Sequence, residues 1–449
     1  MGYVGAVSEA ELKAGGDDPL LELPDFRIGQ TGIEKAYDTL LRGSAGTSQI
    51  EVNAVGRVVR ELSRAEGISG HDVQLTIDID LQESLRQKIG DESAGAVLMD
   101  IHSGEILAMV SAPAYDPNLF SSGLSAASWE ELNSNPKTPL TNKAIAGQYS
   151  PGSTFKMTTA LAALEAGVIT PETEISCPGF YNFGDVQFHC WRKTGHGSVD
   201  LHRALTASCD VFFYETARRV GIDRLAEMAR RLGFGAELGI DIPGERPGLI
   251  PDRAWKLASL GQAWAQGETI SCGIGQGYVT ATPLQLAVMA ARIANGGYAV
   301  MPHLCKAVDD VPSTQPKPGP FRPIGLNPVH LQAIQKAMAA VINEPGGTGY
   351  AARITEPGME MAGKTGSAQT RHISQAERDK GLKDQHQLAW RDRDNAVFVA
   401  FAPISNPRYA FSIVVEHGAH GAWFEPVARD ILIEAQKRDV SAASLEKPI

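Results

Sequence analysis

The sequence predicts an α+β fold in which an antiparallel sheet flanked by helices carries a large helical insertion. The first observation is a pair of apolar segments, 96–99 and 106–110, joined by turn residues and predicted to form a hairpin. A second hairpin of the same kind is predicted near the other end of the chain, at 396–402 and 409–415. The third observation is the helical character of the section between them, roughly 130–300. Strands from both ends of the chain therefore meet in one sheet, with the helices inserted between them.

The N-terminal segment is predicted to be a separate, smaller unit. Residues 1–72 are mixed and polar and predict an accessory lobe, with a helix at 32–42 and a strand at 49–59. The alternating segment 73–79 predicts a half-buried strand. That strand opens the main domain, which runs over 73–440.

The later elements connect and close the main domain. Residues 306–328 are rich in proline and predict a connecting loop. The polar and charged segment 367–394 predicts a mobile loop. Pro426 suits the first turn of a helix that continues to about Lys437. Residues 441–449 are predicted to be a polar tail.

Composition and charge exclude several classes of protein. The chain has 449 residues, of which 43% are hydrophobic and 21% charged, as is typical of globular proteins. Its net charge is −11, and no basic cluster offers a surface for a phosphate backbone, so nucleic acid is not an expected partner. The sequence contains no run of about 18 or more apolar residues, so it predicts no membrane span. The first residues also lack the pattern of a signal peptide.

A serine nucleophile is predicted at Ser153. The pattern Ser-x-x-Lys puts an amine beside a hydroxyl on one face of a helix, and it occurs three times, starting at Ser134, Ser153 and Ser444. Only Ser153 follows a turn and begins an apolar helix, where backbone N–H groups favour a developing oxyanion. Lys156, buried one turn further on, is placed to act as its base.

Two further motifs complete a constellation for acyl transfer. Ser208-Cys209-Asp210 separates two helical segments, so that a loop can aim Ser208 at Ser153 and Lys156 as a proton shuttle. Lys364-Thr365-Gly366 lies on a predicted strand and is followed by Ser367. A strand edge supplies a cation, a hydroxyl and backbone groups for a peptide substrate. A second Lys-Thr-Gly, at Lys193, precedes Ser208 and does not fit that order. The ordered trio is typical of β-lactamases and penicillin-binding proteins.

Three cysteines and a histidine predict a structural zinc site near Ser208. Three thiolates and an imidazole are a known structural zinc set. Other interpretations stay open: a disulfide between Cys177 and Cys190, a site in which His189 replaces the histidine of the set, and a site to which neither histidine contributes. Cys272 and Cys305 are predicted to be core residues. The predicted zinc ligands are Cys177, Cys190, His196 and Cys209.

Two stretches, 147–156 and 273–285, resemble class B penicillin-binding proteins, and the resemblance extends over about 72–440. Asp210 stands where most members have asparagine, which is typical of the elongation-specific members of the penicillin-binding protein 2 type. The loop around His196 indicates the same branch, and some relatives carry zinc in this region. The first 72 residues resemble the end of the family's non-catalytic pedestal.

The resemblance implies a peptidoglycan D,D-transpeptidase that needs no cofactor for its chemistry. Ser153 would be the nucleophile, with Lys156 as base, Ser208 as proton relay and Asp210 orienting the lysines. Lys364 and Thr365 would hold the substrate carboxylate. Backbone N–H groups of Ser153 and Ser367 would form the oxyanion hole, and Gly366 would keep one face of the strand open.

The resemblance also implies partners and a location. The substrates would be peptidoglycan stem peptides, with β-lactams as mimics. The native protein would be anchored upstream of this chain to the periplasmic side of the bacterial inner membrane and paired with a lipid-linked glycan polymerase. A β-lactamase, a D,D-carboxypeptidase and a non-turnover β-lactam sensor are the alternative activities.

Overall fold

A five-stranded antiparallel sheet forms the centre of the main domain. A computed structural model describes residues 2–15, 18–121, 123–313, 320–371, 377, 381, 383–419 and 424–445. The sheet has the order β3-β4-β5-β1-β2, so strands from the two ends of the chain are neighbours, as the sequence predicts. The strands are β1 Ala94–Asp100, β2 Ile106–Ala112, β3 Ala362–Ala368, β4 Asn395–Ala402 and β5 Tyr409–Val415.

Both faces of this sheet are covered, which explains why strands β1, β4 and β5 are apolar almost without interruption. On one face, Val97 and Val399 belong to the larger core, which also includes helix Pro283–Ala294. On the other face, Leu98 and Phe398 belong to a second core. That second core is closed by helices Ile79–Ile89 and Phe424–Leu445.

The predicted helical insertion is confirmed between β2 and β3. Two small hairpins interrupt it: Ile175–Cys177 pairs with Gly197–Val199, and Phe180–Phe183 pairs with Val186–His189. The helices of the insertion are Asn118–Ser121, Ala126–Ser134, Lys143–Ala146, Lys156–Glu165, Leu201–Thr206, Asp210–Val220, Ile222–Leu232, Arg253–Leu260, Gln266–Cys272, Pro283–Ala294 and Pro328–Asn343.

Two predictions for the N-terminal lobe are wrong. The single helix predicted over 32–42 is wrong, because Tyr37 leaves helical geometry and divides the segment into Gly32–Ala36 and Asp38–Arg42. The single strand predicted over 49–59 is also wrong, because a turn divides that region into a hairpin of two exposed strands. The lobe also contains helix Glu9–Ala14 and the paired strands Val4–Ala6 and Arg27–Gly29, and the hairpin consists of Thr47–Val52 and Val58–Ala65.

The start of the main domain also differs from its prediction. The strand is only Val73–Leu75, and it pairs with Cys305–Val308 outside the central sheet. The Asp78 side chain accepts hydrogen bonds from two backbone N–H groups and starts helix Ile79–Ile89 there. The proline-rich segment predicted as a loop therefore contributes a strand, which also pairs with Val311–Pro312.

The last helix begins earlier and ends later than predicted. It spans Phe424–Leu445 and so includes the first residues of the predicted tail, while 446–449 lie outside the described residues. In the predicted loop 367–394, the described part contains the short turns Gln385–Gln387 and Trp390–Asp392, and much of 372–382 lies outside the described residues. Within the described part of the chain, no helix combines the length and the apolarity needed to cross a membrane.

Candidate active site

Ser153 lies in a tight turn that packs directly against strand β3. The turn spans Gly152–Phe155 and leads into helix Lys156–Glu165. Gly152 has a φ of +53°, and a Cβ there would lie 2.5 Å from the carbonyl oxygen of Ser367. Only glycine allows this approach, so the backbone of the turn and the backbone of β3 lie in contact next to the nucleophile candidate.

Lys156 is fully buried and bonded to the second motif. Its Nζ lies 2.7 Å from Asp210 Oδ1, 2.9 Å from the carbonyl oxygen of Ser208 and 3.2 Å from Ser208 Oγ. Among the described residues, Ser153 is not one of its side-chain partners. The structure therefore joins the first and second motifs through the lysine, as the sequence predicts.

Ser208 connects this lysine with the lysine of the third motif. It has a φ of +53° between two helices, a left-handed conformation that is uncommon for serine. Its Oγ accepts a hydrogen bond of 2.9 Å from Lys364 Nζ. Burial, followed by the charge of Lys156, holds the pKa of Lys364 well below its usual range. Two lysines thus meet on one hydroxyl, which is the geometry of a proton relay.

The structure separates Lys364 from Thr365, which the sequence analysis grouped as carboxylate ligands. Lys364 is fully buried, and its other hydrogen bond runs to the carbonyl oxygen of Thr365 at 2.8 Å. It therefore faces Ser208 rather than solvent. Thr365 and Ser367 are the partly exposed residues of the motif, and Gly366 packs on the nucleophile turn, where a Cβ would lie 3.1 Å from Thr154 Cγ2.

The patterns that begin at Ser134 and Lys193 stay outside this network. The Ser134 hydroxyl donates to the carbonyl oxygen of Glu130 on an exposed helix. Lys193 is exposed. The side chain of Ser444 lies outside the described residues. The environment of each pattern, and not the pattern alone, distinguishes the site.

Trp191 is a site residue that the sequence analysis missed. Its backbone N–H donates to Asp210 Oδ2 at 2.8 Å. Its indole N–H lies 3.1 Å from the carbonyl oxygen of Ser208, which also accepts from Lys156. Trp191 therefore fixes both the carboxylate and the backbone that orient Lys156. No motif marks it, although it directly follows a predicted zinc ligand.

Glu425 is a second residue that the sequence did not reveal. It is buried in the first turn of the last helix, and burial raises its pKa to about 7, against the opposing effect of Lys364. Its charge in turn raises the pKa of Lys364, which limits the effect of burial on that lysine.

The four predicted zinc ligands form one cluster beside the Ser208 loop. Their ligand atoms all lie within 4.8 Å of one another, and the histidine of the cluster is His196 rather than His189. His196 Nδ1 lies 3.6 Å from Cys177 Sγ and 3.5 Å from Cys190 Sγ. The cysteines are free thiols and not a disulfide. A hydrogen bond from Cys209 lowers the pKa of Cys190.

With this geometry established, comparison with known proteins decides the family. The family model described as the penicillin binding protein transpeptidase domain matches residues 94–433. The chain belongs to the penicillin-binding protein transpeptidase family. A second model, the penicillin-binding protein dimerisation domain, matches residues 1–75 of this penicillin-binding protein. The resemblance drawn from the motifs is thereby confirmed.

Individual relatives of this penicillin-binding protein support the same family assignment. Peptidoglycan D,D-transpeptidase MrdA of Acinetobacter baumannii is 37% identical over 433 residues, covering 96% of this chain and 63% of the relative. The structure of Pseudomonas aeruginosa PBP2 in complex with WCK 5153 is 37% identical, with a TM-score of 0.81 and coverage of 96% of this chain and 86% of that one. The complex between PBP2 and MreC from Helicobacter pylori is 32% identical, with a TM-score of 0.84, and the match covers 97% of this chain and 76% of that one. The chain thus spans less than two thirds of the length of the curated relative from A. baumannii.

Proposed function

We propose that this chain is the catalytic part of a peptidoglycan D,D-transpeptidase that works through an acyl-enzyme on Ser153 and is acylated by β-lactams. The observation that carries the proposal is the meeting of two buried lysines on one serine hydroxyl, at 3.2 Å from Lys156 and 2.9 Å from Lys364. This network lies next to a serine in the turn before a helix. Acyl transfer needs a nucleophile, a base and a proton route, and the three motifs supply them.

In the proposed reaction, Ser153 Oγ attacks the carbonyl carbon of the penultimate D-Ala of a stem peptide. Lys156 takes the hydroxyl proton, and Ser208 relays a proton between Lys156 and Lys364, whose lowered pKa lets it take up and release a proton, so that one is delivered to the nitrogen of the leaving D-Ala. The amide bond breaks, and the nitrogen of the terminal D-Ala leaves with a proton. The amine of a second stem peptide then attacks the ester, forms the new amide and restores Ser153.

The substrate contacts follow from the contact between the nucleophile turn and β3. We assign the oxyanion hole to the backbone N–H groups of Ser153 and Ser367, which lie on the two segments that Gly152 brings together. Thr365 and Gly366 lie on an edge strand of the sheet, where an extended peptide can add its own hydrogen bonds. Thr365 then takes the terminal carboxylate.

The intact mass of the protein after incubation with penicillin tests this proposal. We expect an increase by one drug molecule, mapped to the peptide that contains Ser153 and missing in Ser153→Ala. A stable ester supports the transpeptidase, whereas an ester that hydrolyses within seconds indicates a β-lactamase. Release of terminal D-Ala with formation of a cross-linked dimer of stem peptides distinguishes the enzyme from a non-turnover sensor, and release without cross-linking indicates a D,D-carboxypeptidase. If no adduct forms, the mechanism is wrong.

We also propose that the cysteine cluster holds a structural zinc ion. A tetrahedral site with Zn–S of about 2.3 Å and Zn–N of about 2.0–2.1 Å puts neighbouring sulfur and nitrogen ligands about 3.5 Å apart. The distances from His196 Nδ1 to two of the sulfurs are 3.5 and 3.6 Å, so the donor set fits. Cys190 adjoins Trp191, and Cys209 lies between Ser208 and Asp210, so these ligands would fix the loops that orient Lys156. When bound, the ion contributes structure and not a step of the reaction.

Metal analysis of the purified protein under non-denaturing conditions tests the zinc site. We expect one zinc ion per chain, its loss in Cys190→Ser, and its retention in Cys272→Ser, which changes a buried cysteine outside the cluster. Removing the ion with a chelator is expected to lower the melting temperature. Titration of thiols after denaturation and chelation should find all five cysteines. Finding two thiols fewer, with no metal bound, would establish the disulfide instead.

The location and partners proposed for the whole protein follow from the substrate. Peptidoglycan stem peptides are cross-linked on the outer side of the inner membrane, so we propose a periplasmic position with a membrane anchor. We propose a lipid-linked glycan polymerase and a protein of the MreC kind as partners, the latter supported by the similar H. pylori complex. Protease accessibility in spheroplasts and copurification of the whole gene product with each partner test these points.

A further inference from the structure

A hydroxyl outside all three motifs contacts the carboxylate-binding threonine. Thr348 Oγ1 lies 2.7 Å from Thr365 Oγ1, and both side chains are partly exposed. Thr348 belongs to the loop between helix Pro328–Asn343 and strand β3. The proposed function gives this loop no role.

The backbone fixes Thr348 in this position from two directions. Its N–H donates to the carbonyl oxygen of Thr206 at 3.3 Å, on the helix that precedes Ser208. The next residue, Gly349, donates to the carbonyl oxygen of Val341 at 3.1 Å. The contact between the two threonines is therefore built into the fold.

The hydrogen-bonding capacity of a hydroxyl determines what the pair can do. Each hydroxyl has one proton to donate and two lone pairs to accept. If Thr348 donates to Thr365, then the proton of Thr365 is left for another acceptor. Lys364 does not take that place, because its side chain bonds Ser208 Oγ and the carbonyl oxygen of Thr365 rather than the Thr365 hydroxyl. An ionised carboxylate has acceptors only, so it is the natural partner for that proton.

We propose that Thr348 is a positioning residue for the terminal carboxylate of the substrate, acting by donating its proton to Thr365 and so turning the Thr365 proton toward that carboxylate. The inference rests on the proposed function, because it concerns how the same site recognises a D-Ala-D-Ala terminus or a β-lactam. A chain of hydroxyls that ends on a charge is polarised along its length, so each bond strengthens the next. Thr348 therefore contributes to selectivity for substrates that carry a free carboxylate.

A penicillin and its methyl ester provide the test, because they differ only in the charge of the group that Thr365 contacts. The second-order rate constant of acylation is measured with both compounds for the wild type, Thr348→Val and Thr348→Ser. Valine has the shape of threonine without the hydroxyl, and serine keeps the donor. We expect Thr348→Val to react roughly tenfold more slowly with the acid and almost unchanged with the ester. Thr348→Ser is expected to keep the wild-type ratio of the two rate constants.

Each other outcome contradicts the inference in its own way. An equal loss with both compounds in Thr348→Val means that Thr348 only packs the strand, and unchanged rate constants with both mean that it does not act on the carboxylate. If Thr348→Val unfolds, Thr348→Ala answers the same question, because it also lacks the donor. If the wild type forms no adduct with the acid, the proposed function itself fails. If the wild type is acylated by the acid but Thr348→Val keeps the wild-type ratio of the two rate constants, only the role of Thr348 is overturned.

Discussion

Replacing Lys364 by methionine separates its catalytic role from any structural one. The Nζ atom donates to Ser208 Oγ at 2.9 Å and to the carbonyl oxygen of Thr365 at 2.8 Å, and methionine of similar length can make neither bond. Positioned acid–base groups contribute about 10²- to 10⁴-fold to reaction rates. We therefore expect acylation by penicillin to slow by that factor, which corresponds to about 2.7–5.4 kcal/mol of transition-state stabilisation.

The same substitution is expected to preserve or increase the free energy of unfolding. Lys364 is fully buried, and burial is the main reason that its pKa is lowered. Methionine has no charge to desolvate, and replacing even a whole buried ion pair by apolar residues ranges from neutral to about 4 kcal/mol stabilising. Asp210 keeps its partner Lys156, and Glu425, which loses the charge of Lys364, can take up a proton because burial already raises its pKa to about 7. A slower enzyme that is no less stable would indicate a purely catalytic role.

Lys143 provides a matched control for this experiment. It is also fully buried, its pKa is also lowered by burial, and its Nζ bonds the carbonyl oxygens of Lys137 at 2.6 Å and Thr138 at 3.1 Å. Lys143→Met should acylate like the wild type. The assay combines stopped-flow acylation by a fluorescent penicillin with thermal unfolding of each variant. The proposed proton relay is refuted if Lys364→Met acylates at the wild-type rate, or if Lys143→Met is slowed to the same degree.

Three further predictions follow from other contacts. Glu425→Gln removes a charge that raises the pKa of Lys364, so the acid limb of the pH profile of acylation should move to lower pH; a move to higher pH would contradict this. The pKa of Glu425 is raised to about 7 in the folded protein, against about 4.3 in the unfolded chain. The stability that this shift contributes is full below about pH 4.3 and is lost as the pH rises through 7, so the free energy of unfolding of the glutamine variant should depend less on pH. Gly152→Ala forces alanine into a left-handed conformation, which costs roughly 1–2 kcal/mol, and puts its Cβ 2.5 Å from the carbonyl oxygen of Ser367. Acylation should therefore slow, and an unaltered rate would show that the turn adapts. Tyr37→Phe removes a 2.7 Å hydrogen bond from the N-terminal lobe to a carboxylate of the main domain, and urea unfolding should show a loss of about 1.5–3 kcal/mol with unchanged acylation.

Much of the fold could be predicted because its signals are local. Apolar runs with turn residues between them identify both hairpins of the central sheet, and their burial on two faces follows from the absence of polar alternation. The failures are also local. Tyr37 ends one short helix and starts the next, and the turn between Val52 and Val58 lies inside an apolar segment that resembles one strand. No turn residue marks the break at Tyr37, whereas Asn53 and Gly56, with a φ of +77°, do mark the turn between the two strands, and the strand prediction ran across them.

The site could be predicted in its members but not in its contacts. The spacing of Ser153 and Lys156 determines that they share one turn, because helical geometry fixes which residues are neighbours. The order of the motifs then indicated which serine, aspartate and lysine belong with them. By contrast, the assignment of Lys364 to the substrate carboxylate did not anticipate that its side chain points into the protein and bonds Ser208.

The amino-acid sequence by itself determined the class of chemistry, the elements of the sheet and the four residues of the cysteine cluster, and it predicts the nucleophile. Only the tertiary structure decided that two lysines meet on Ser208, that Trp191 binds Asp210, and that Thr348 contacts Thr365. Residues 156 positions apart in the chain form the Lys364–Ser208 bond, and no periodicity encodes such a pair. These contacts are set by how the helical insertion packs against β3, because a side chain far along the chain becomes a neighbour only after the core between the two has formed.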